Sequence, residues 1–297
     1  MAILSDLHSA ARLPAVVRAV AAGAEAAHAR WVLCAGDVGA GGAEDALRCL
    51  RELDAACGGR LLYVPGNHDI WCAPSDPGDS WDQWRRLLSF RGNLERGNRD
   101  LGEGLCAAGT GGWYDYSFAP PGPWNQDDLR RGAWESARWR DADFARWGAP
   151  DPEVCTGFVR LLEERLAEGA AAGLRPVVLT HVVPFAAAVD RRPEDPVWSF
   201  CNAFMGSGRY GELAARFDAA LAVFGHTHTR RRGAGEGLPY VCAPLGYVRQ
   251  WVHAKHPVAE VAAAMVTVEV GADPAAPTPA GTPTVGYPSK ADGPESM

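Results

Sequence analysis

Three side chains able to bind metal or move protons, Asn67, His68 and Asp69, stand directly after the apolar run Leu61-Leu62-Tyr63-Val64 and the break Pro65-Gly66. The run has the length and type of a buried strand, and loops at the ends of buried strands are where open α/β sheets put their chemistry. Alone, such a triplet is equally well a polar turn. Four other strand-like runs, however, end in the same way. Asp6-Leu7-His8 follows residues 2–5, Gly36-Asp37 follows 31–35, His181 follows 176–180, and Gly225-His226-Thr227-His228 follows 220–224. A D-x-H or H-x-H spacing puts both side chains on one side of a continuing strand. A carboxylate and an imidazole converging in that way form half of a metal site. Asp6, His8, Asp37, Asn67, His181, His226 and His228 are seven oxygen and nitrogen ligands, with His68 left over. Seven are too many for one zinc but suit two metals sharing one carboxylate.

The elements that must position these residues begin as β-α-β-α-β: strand 2–5, helix 13–30, strand 31–35, helix 43–56, strand 61–64. That order implies parallel strands with right-handed crossovers and all three motifs on one edge of the sheet. Strand 2–5 is short, which raises the expectation that the true start of the chain lies upstream. Further on, 104–109, 176–180, 220–224, 238–243 and 265–270 read as strands, and 153–172 and 210–217 as helices. Residues 72–150 break the rhythm. They are rich in Pro, Gly and Asp, yet hold seven of the eleven tryptophans, and a disordered insert would be poor in aromatics. A folded cap over the catalytic layer is expected there. Residues 271–297, mostly Pro, Ala, Thr and Gly, read as a disordered tail.

Composition narrows the function classes. The net charge of −7 gives no overall field attracting nucleic acid, and the 29 basic residues are all arginines except Lys255 and Lys290, as a GC-rich coding bias would produce. The eight cysteines are scattered without a C-x-x-C pair, which suits reduced buried thiols. No apolar run approaches the ~20 residues needed to span a bilayer. With Asp6 already in the first motif, a secretory leader is not expected and a cytoplasmic location is. His28, His253 and His256 match no motif and read as surface or packing residues.

The ordered set D-x-H, G-D, G-N-H-D, lone His and G-H-x-H, over about residues 1–270, resembles the calcineurin-like metallophosphoesterase superfamily. The resemblance implies an α/β fold, a four-layer αββα sandwich of two mixed sheets flanked by helices, here with a Trp-rich inserted cap. It implies that Asp6, His8 and His228 hold one divalent metal ion and Asn67, His181 and His226 a second, with Asp37 bridging. Manganese is expected first, with iron, zinc or nickel also compatible. Two cations about 3.5–4 Å apart acidify a bridging water and neutralise charge in an in-line phosphoryl transition state. His68 would stabilise that state or protonate the leaving alkoxide, with Asp69 orienting it.

The expected substrate is a small phosphomonoester or phosphodiester. Protein phosphatases of the superfamily carry a longer acidic and Arg-containing extension after the G-D motif, whereas this chain reads Gly36-Asp37-Val38-Gly39. A nuclease is disfavoured by the acidic balance, and a non-catalytic scaffold by the filled motif positions. Trp113 and Tyr114, which follow strand 104–109 to the same edge, are the candidates for substrate contact, and Arg249 for a substrate phosphate. Because the tail has little apolar surface, deleting residues 273–297 should leave the melting temperature unchanged to within about 5 °C. A larger drop in a thermal melt would mean that the tail docks.

Overall fold

The computed structural model describes residues 1–8 and 12–269, so the expected tail lies outside the described residues. Twelve strands are present among those described: β1 (Ala2–Leu4), β2 (Val32–Cys34), β3 (Leu61–Tyr63), β4 (Arg99–Gly102), β5 (Leu105–Thr110), β6 (Ala133–Trp134), β7 (Ala137–Arg138), β8 (Arg175–Thr180), β9 (Leu221–Phe224), β10 (Arg231–Gly235), β11 (Leu238–Cys242) and β12 (Val266–Thr267). One sheet has the order β12-β1-β2-β3, a second β10-β11-β9-β8-β5-β4, and β6 and β7 form a small hairpin. The strands β1, β2 and β3 are parallel, as are β5, β8, β9 and β11, and antiparallel strands close three of the edges.

The apolar runs serve two faces at once, which is why they read as continuous. Ile3, Leu33, Leu62 and Val64 meet Val177, Leu179, Val223 and Val241 in a layer between the sheets. Their neighbours Leu4, Val32, Cys34 and Tyr63 face outward, in the same apolar cluster as Val16 and Val20 of helix Leu13–Ala26 and Leu50 of helix Ala43–Ala56. On the far side Ala108 and Val178 share that cluster with Phe158 and Leu162 of helix Asp151–Ala171. The result is the expected helix–sheet–sheet–helix stack, in which each fully buried Val or Leu contributes roughly 1.5–3 kcal/mol. All eight cysteines are free and buried. No helix among the described residues is long and apolar enough to cross a membrane.

The two sheets join where the motifs lie. Ser5 donates its N–H to the Ala243 carbonyl at 2.9 Å, and Leu245 donates back to Ser5 at 2.9 Å, so the end of β1 crosses to the end of β11. That stitch brings Asp6 beside the end of β9.

Several boundaries differ from the sequence reading, for local reasons. The first helix stops at Ala26 rather than residue 30 because the backbone turns left-handed at His28, φ 49°. The edge strands β4 and β10 carry Arg, Asp and Gly and are partly exposed, so no apolar pattern marks them. The short helices Ser80–Leu87 and Pro257–Ala264 went unread as well. Residues 72–150 are not a single layer. β5 is the core strand expected at 104–109, and with β4 it completes the larger sheet. Trp81, Trp84 and Trp147 pack on Phe158, whereas Trp124 and Trp134 pack on Phe200.

Glu95 ties this segment to the sheet. Its buried carboxylate accepts hydrogen bonds from Thr110 Oγ1 (2.7 Å), Gly111 N (2.9 Å) and Trp84 Nε1 (2.7 Å). Burial outweighs those bonds and raises its pKa to about 7 from 4.5. The folded state therefore holds this proton more tightly than the unfolded chain. Glu95's contribution to stability is greatest below pH 4.5 and falls as pH rises toward 7. The stability of Glu95→Gln relative to the parent should rise by about 3 kcal/mol between pH 4 and pH 8. Parallel denaturant titrations at the two pH values read this difference, and a pH-independent difference would contradict it.

Candidate metal centre

Each sequence-predicted ligand reaches one site through its strand's C-terminal end, but not through strand alternation. The strand β1 ends at Leu4, and the ligands beyond it sit on left-handed backbone: Asp6 φ 52°, His8 φ 39°, Asp37 φ 54°, His226 φ 70° and His228 φ 51°. The D-x-H and H-x-H pairs converge because both members of each adopt this conformation, which corrects the expectation of a continuing strand. Such residues cost of order 1–3 kcal/mol each and persist where surrounding structure over-determines them.

Asp69 supplies much of that surrounding structure. One carboxylate oxygen accepts from the N–H groups of Asp37 (2.9 Å) and Gly66 (2.9 Å) and from the Tyr63 hydroxyl (2.6 Å). The other accepts from Val38 N (3.1 Å) and Gly39 N (3.4 Å). Asp69 thus clamps the G-D loop onto the G-N-H-D loop, and Gly66 permits the contact, since a Cβ there would lie 2.0 Å from Asp37 Oδ1. The expected role of Asp69 as orienter of His68 gives way here. His68 Nδ1 has no hydrogen-bond partner, and its Nε2 lies 3.2 Å from the Tyr247 hydroxyl.

The ligand atoms fall into two sets. In one, His8 Nε2 and His228 Nε2 are 3.0 Å apart, and Asp6 Oδ1 is 3.5 Å from His228 Nε2. In the other, His181 Nε2 lies 2.9 Å from Asn67 Oδ1 and 3.1 Å from His226 Nδ1, which is itself 3.2 Å from Asn67 Oδ1. Asp37 Oδ2 stands between the sets, 3.6 Å from His8 Nε2 and 3.5 Å from His181 Nε2. Its Oδ1 is occupied by the His68 N–H at 2.9 Å.

These separations fit cations. Ligands at about 2.1 Å from one ion, at octahedral or tetrahedral angles, lie about 3.0–3.4 Å from each other. The far nitrogens fix the tautomers. His181 Nδ1 donates to the Ala35 carbonyl (2.8 Å), His226 Nε2 to the Phe204 carbonyl (3.1 Å) and His228 Nδ1 to Gln250 Oε1 (2.8 Å). In the second set three lone pairs, from Asn67, His181 and His226, then face one another with no proton between them. Such an arrangement is repulsive until a cation fills it.

Electrostatics agree. Burial, then the neighbouring rings, holds His8, His68 and His226 well below the usual imidazole range. Burial brings His228 to about 4, against a hydrogen bond that it donates to Gln250 and that opposes the shift. All four rings are neutral at neutral pH, so His8, His226 and His228 can offer lone pairs to a cation. Burial and then the nearby Asp69 and Asp6 carboxylates push Asp37 well up, so the ionised form needs added positive charge. Among the described residues three groups of donors lie close enough to share an ion: Asp6 with His8 and His228, Asp37 with Asp6 and His181, and His8 with Asp37 and His68.

An open cleft leads to this cluster, with Trp71, Trp139, Arg140, Tyr247 and Gln250 on its walls. Trp71 stacks on His68 at 3.6 Å between ring centres, and Tyr247 on His8 at 4.3 Å. The aromatic candidates chosen from sequence lie elsewhere. Trp113 and Tyr114 are 1% and 2% exposed and do not line the cleft. Trp113 Nε1 donates to Asp151 at 2.6 Å, because the chain leaving β5 turns under helix Asp151–Ala171. Arg249 is likewise absent from the walls, and its guanidinium lies 4.6 Å from the Tyr247 ring centre. Tyr247 went unread because one aromatic in a loop carries no periodic signal, and Trp139 because its segment holds so many tryptophans.

Comparison with known proteins follows the same lines. A family model for calcineurin-like phosphoesterases matches residues 1–230. The acyl-carrier-protein phosphodiesterase PptH of Mycobacterium tuberculosis is 24% identical over 240 residues, which cover 74% of this chain and 70% of that protein. The crystal structure of phosphopantetheinyl hydrolase PptH from M. tuberculosis aligns with a TM-score of 0.60 at 20% identity, covering 84% of this chain and 89% of that one. A dimetal phosphatase from Danio rerio aligns at 0.49 and 14% identity, covering 81% and 85%.

Asp37→Ala should abolish binding of both ions and turnover together. His68→Ala should keep two ions and lose roughly 10²–10⁴-fold in rate. Asp69→Ala should lose metal as well as rate, because the clamp holding Asp37 is gone. Metal analysis of the purified variants checks all three. An Asp69 variant that kept its metal and lost only rate would restore the orienting role that the geometry removes.

Proposed function

This chain belongs to the calcineurin-like phosphoesterase family, and from that premise we propose that it is a phosphodiesterase whose leaving group occupies the cleft between Trp71, Trp139 and Tyr247. Hydrolysis of a phosphoester is the activity that the names of this family and of the PptH relative share. The observation that carries the reading is the position of Asp37 Oδ2 between two complete ligand sets. Asp6, His8 and His228 would hold one divalent ion and Asn67, His181 and His226 the other, with manganese the first metal to test. When bound, such a pair acidifies water and neutralises charge on phosphoryl oxygens.

The protein's own groups do the rest. His68 enters as a neutral imidazole because burial and its neighbouring rings disfavour the imidazolium, and bound cations would disfavour it further. Its Nε2, 3.2 Å from the Tyr247 hydroxyl, would donate a hydrogen bond to a phosphoryl oxygen rather than deliver a full proton charge. Trp71, Trp139 and Tyr247 give an organic leaving group an apolar berth and keep water from it. Arg140 at the wall offers a cation to an anionic substituent of that group.

The substrate to test first is a carrier protein bearing phosphopantetheine in phosphodiester linkage, as the PptH relative's name suggests. An acidic protein of net charge −7 meeting an acidic carrier would rely on local contacts such as Arg140. Eight free thiols suit a reducing cytoplasm as the place of action.

With Mn²⁺ present, bis-p-nitrophenyl phosphate should exceed p-nitrophenyl phosphate in kcat/KM by about tenfold or more, a difference of about 1.4 kcal/mol. Release of phosphopantetheine from a holo carrier protein, followed by intact mass, should occur with the same metal dependence. A clear preference for the monoester would overturn the phosphodiesterase reading, and an inert holo carrier the specific substrate.

A further inference from the structure

We propose that Asp141 is a positioning residue that turns the Asn67 amide so that its oxygen, not its nitrogen, faces the second metal position. The inference rests on the dinuclear reading above. An asparagine side chain presents an oxygen and an NH₂ group of nearly the same shape, and only the oxygen can bind a cation. Nothing internal to Asn67 chooses between them. The choice must come from a neighbour that accepts hydrogen bonds and cannot be satisfied by a carbonyl.

Asp141 is that neighbour. It is 1% exposed and stands at the start of the short helix Asp141–Phe144, in the segment 72–150 and far in sequence from every motif. Its Oδ1 accepts from Asn67 Nδ2 at 2.8 Å and from Trp71 Nε1 at 2.6 Å. Its Oδ2 accepts from Trp139 Nε1 at 2.8 Å. Every partner is a donor. A flipped amide would set the Asn67 oxygen against a carboxylate oxygen and aim its NH₂ at His181 Nε2, His226 Nδ1 and the ion.

The same carboxylate also holds two walls of the cleft, because Trp71 and Trp139 both donate to it. Trp71 in turn stacks on His68. The Trp-rich segment therefore acts on the metal centre through one side chain.

Mn²⁺ titration calorimetry and electron paramagnetic resonance of the full chain separate this role from simple packing. The parent should bind two ions and show the spectrum of an exchange-coupled pair. In Asp141→Leu one of the two ions should bind as before. The second should weaken by about 10–100-fold, the usual effect of removing a partner of a metal ligand, and the coupled spectrum should disappear at ion levels that saturate the parent. Asp141→Asn, which can still offer an oxygen to Asn67, should weaken the second ion less than Asp141→Leu does and leave the first unchanged. It also serves as the test if the leucine variant does not fold. Two ions bound as tightly in the variants as in the parent would overturn the proposal, as would equal weakening of both ions. A parent that binds fewer than two ions would instead overturn the dinuclear reading.

Discussion

A carboxylate taken out of water must find positive charge or give up its own, and Asp37 is held where it can do neither unaided. It is 1% exposed. Among the described residues its ion-pair partners are His8 and His181, both pushed toward the neutral form by burial. Its backbone is left-handed, and five donors from the surrounding loops converge on Asp69 to keep it there. The fold spends strain and desolvation at this point, and divalent cations are what make the arrangement favourable. The rest follows as positioning. Parallel strands end together, the two sheets join at Ser5 and Ala243, and each loop delivers one or two candidate ligands.

That logic explains what could be read in advance. The seven candidate ligands, which the structure gathers at one place, were legible because each is a metal-binding residue type placed just past an apolar run. The double-sided burial of those runs made the core strands legible too. The reason given for convergence was nevertheless incorrect. Asp6 with His8, and His226 with His228, meet through left-handed turns, a feature that residue type alone does not announce for Asp and His. Edge strands β4 and β10 were invisible because exposed arginines and glycines carry no periodic apolar signal.

The residues around the metal ligands were the harder part. Asp69 sits next to His68 in sequence, so an Asp–His pair was the natural reading, yet its two oxygens are used up by backbone and Tyr63. Trp113 and Tyr114 do emerge at the expected sheet edge but turn inward. Trp71, Trp139 and Tyr247 form the cleft instead, from three separated stretches. Such walls are set by how a long segment folds back, and one sequence does not encode that in any local pattern. Asp141 belongs to this class: in sequence it is one acidic residue among many in a polar stretch, and its meaning lies wholly in the three side-chain donors that reach it.

The central claim is that one carboxylate oxygen of Asp37 joins two ligand sets into a single dinuclear centre. Anomalous diffraction from a crystal grown with Mn²⁺ tests it directly. Two peaks about 3.5–4 Å apart are expected, one contacted by Asp6, His8 and His228, the other by Asn67, His181 and His226, with Asp37 Oδ2 touching both. A single peak, or a second ion held by His68 in place of Asn67, would contradict it.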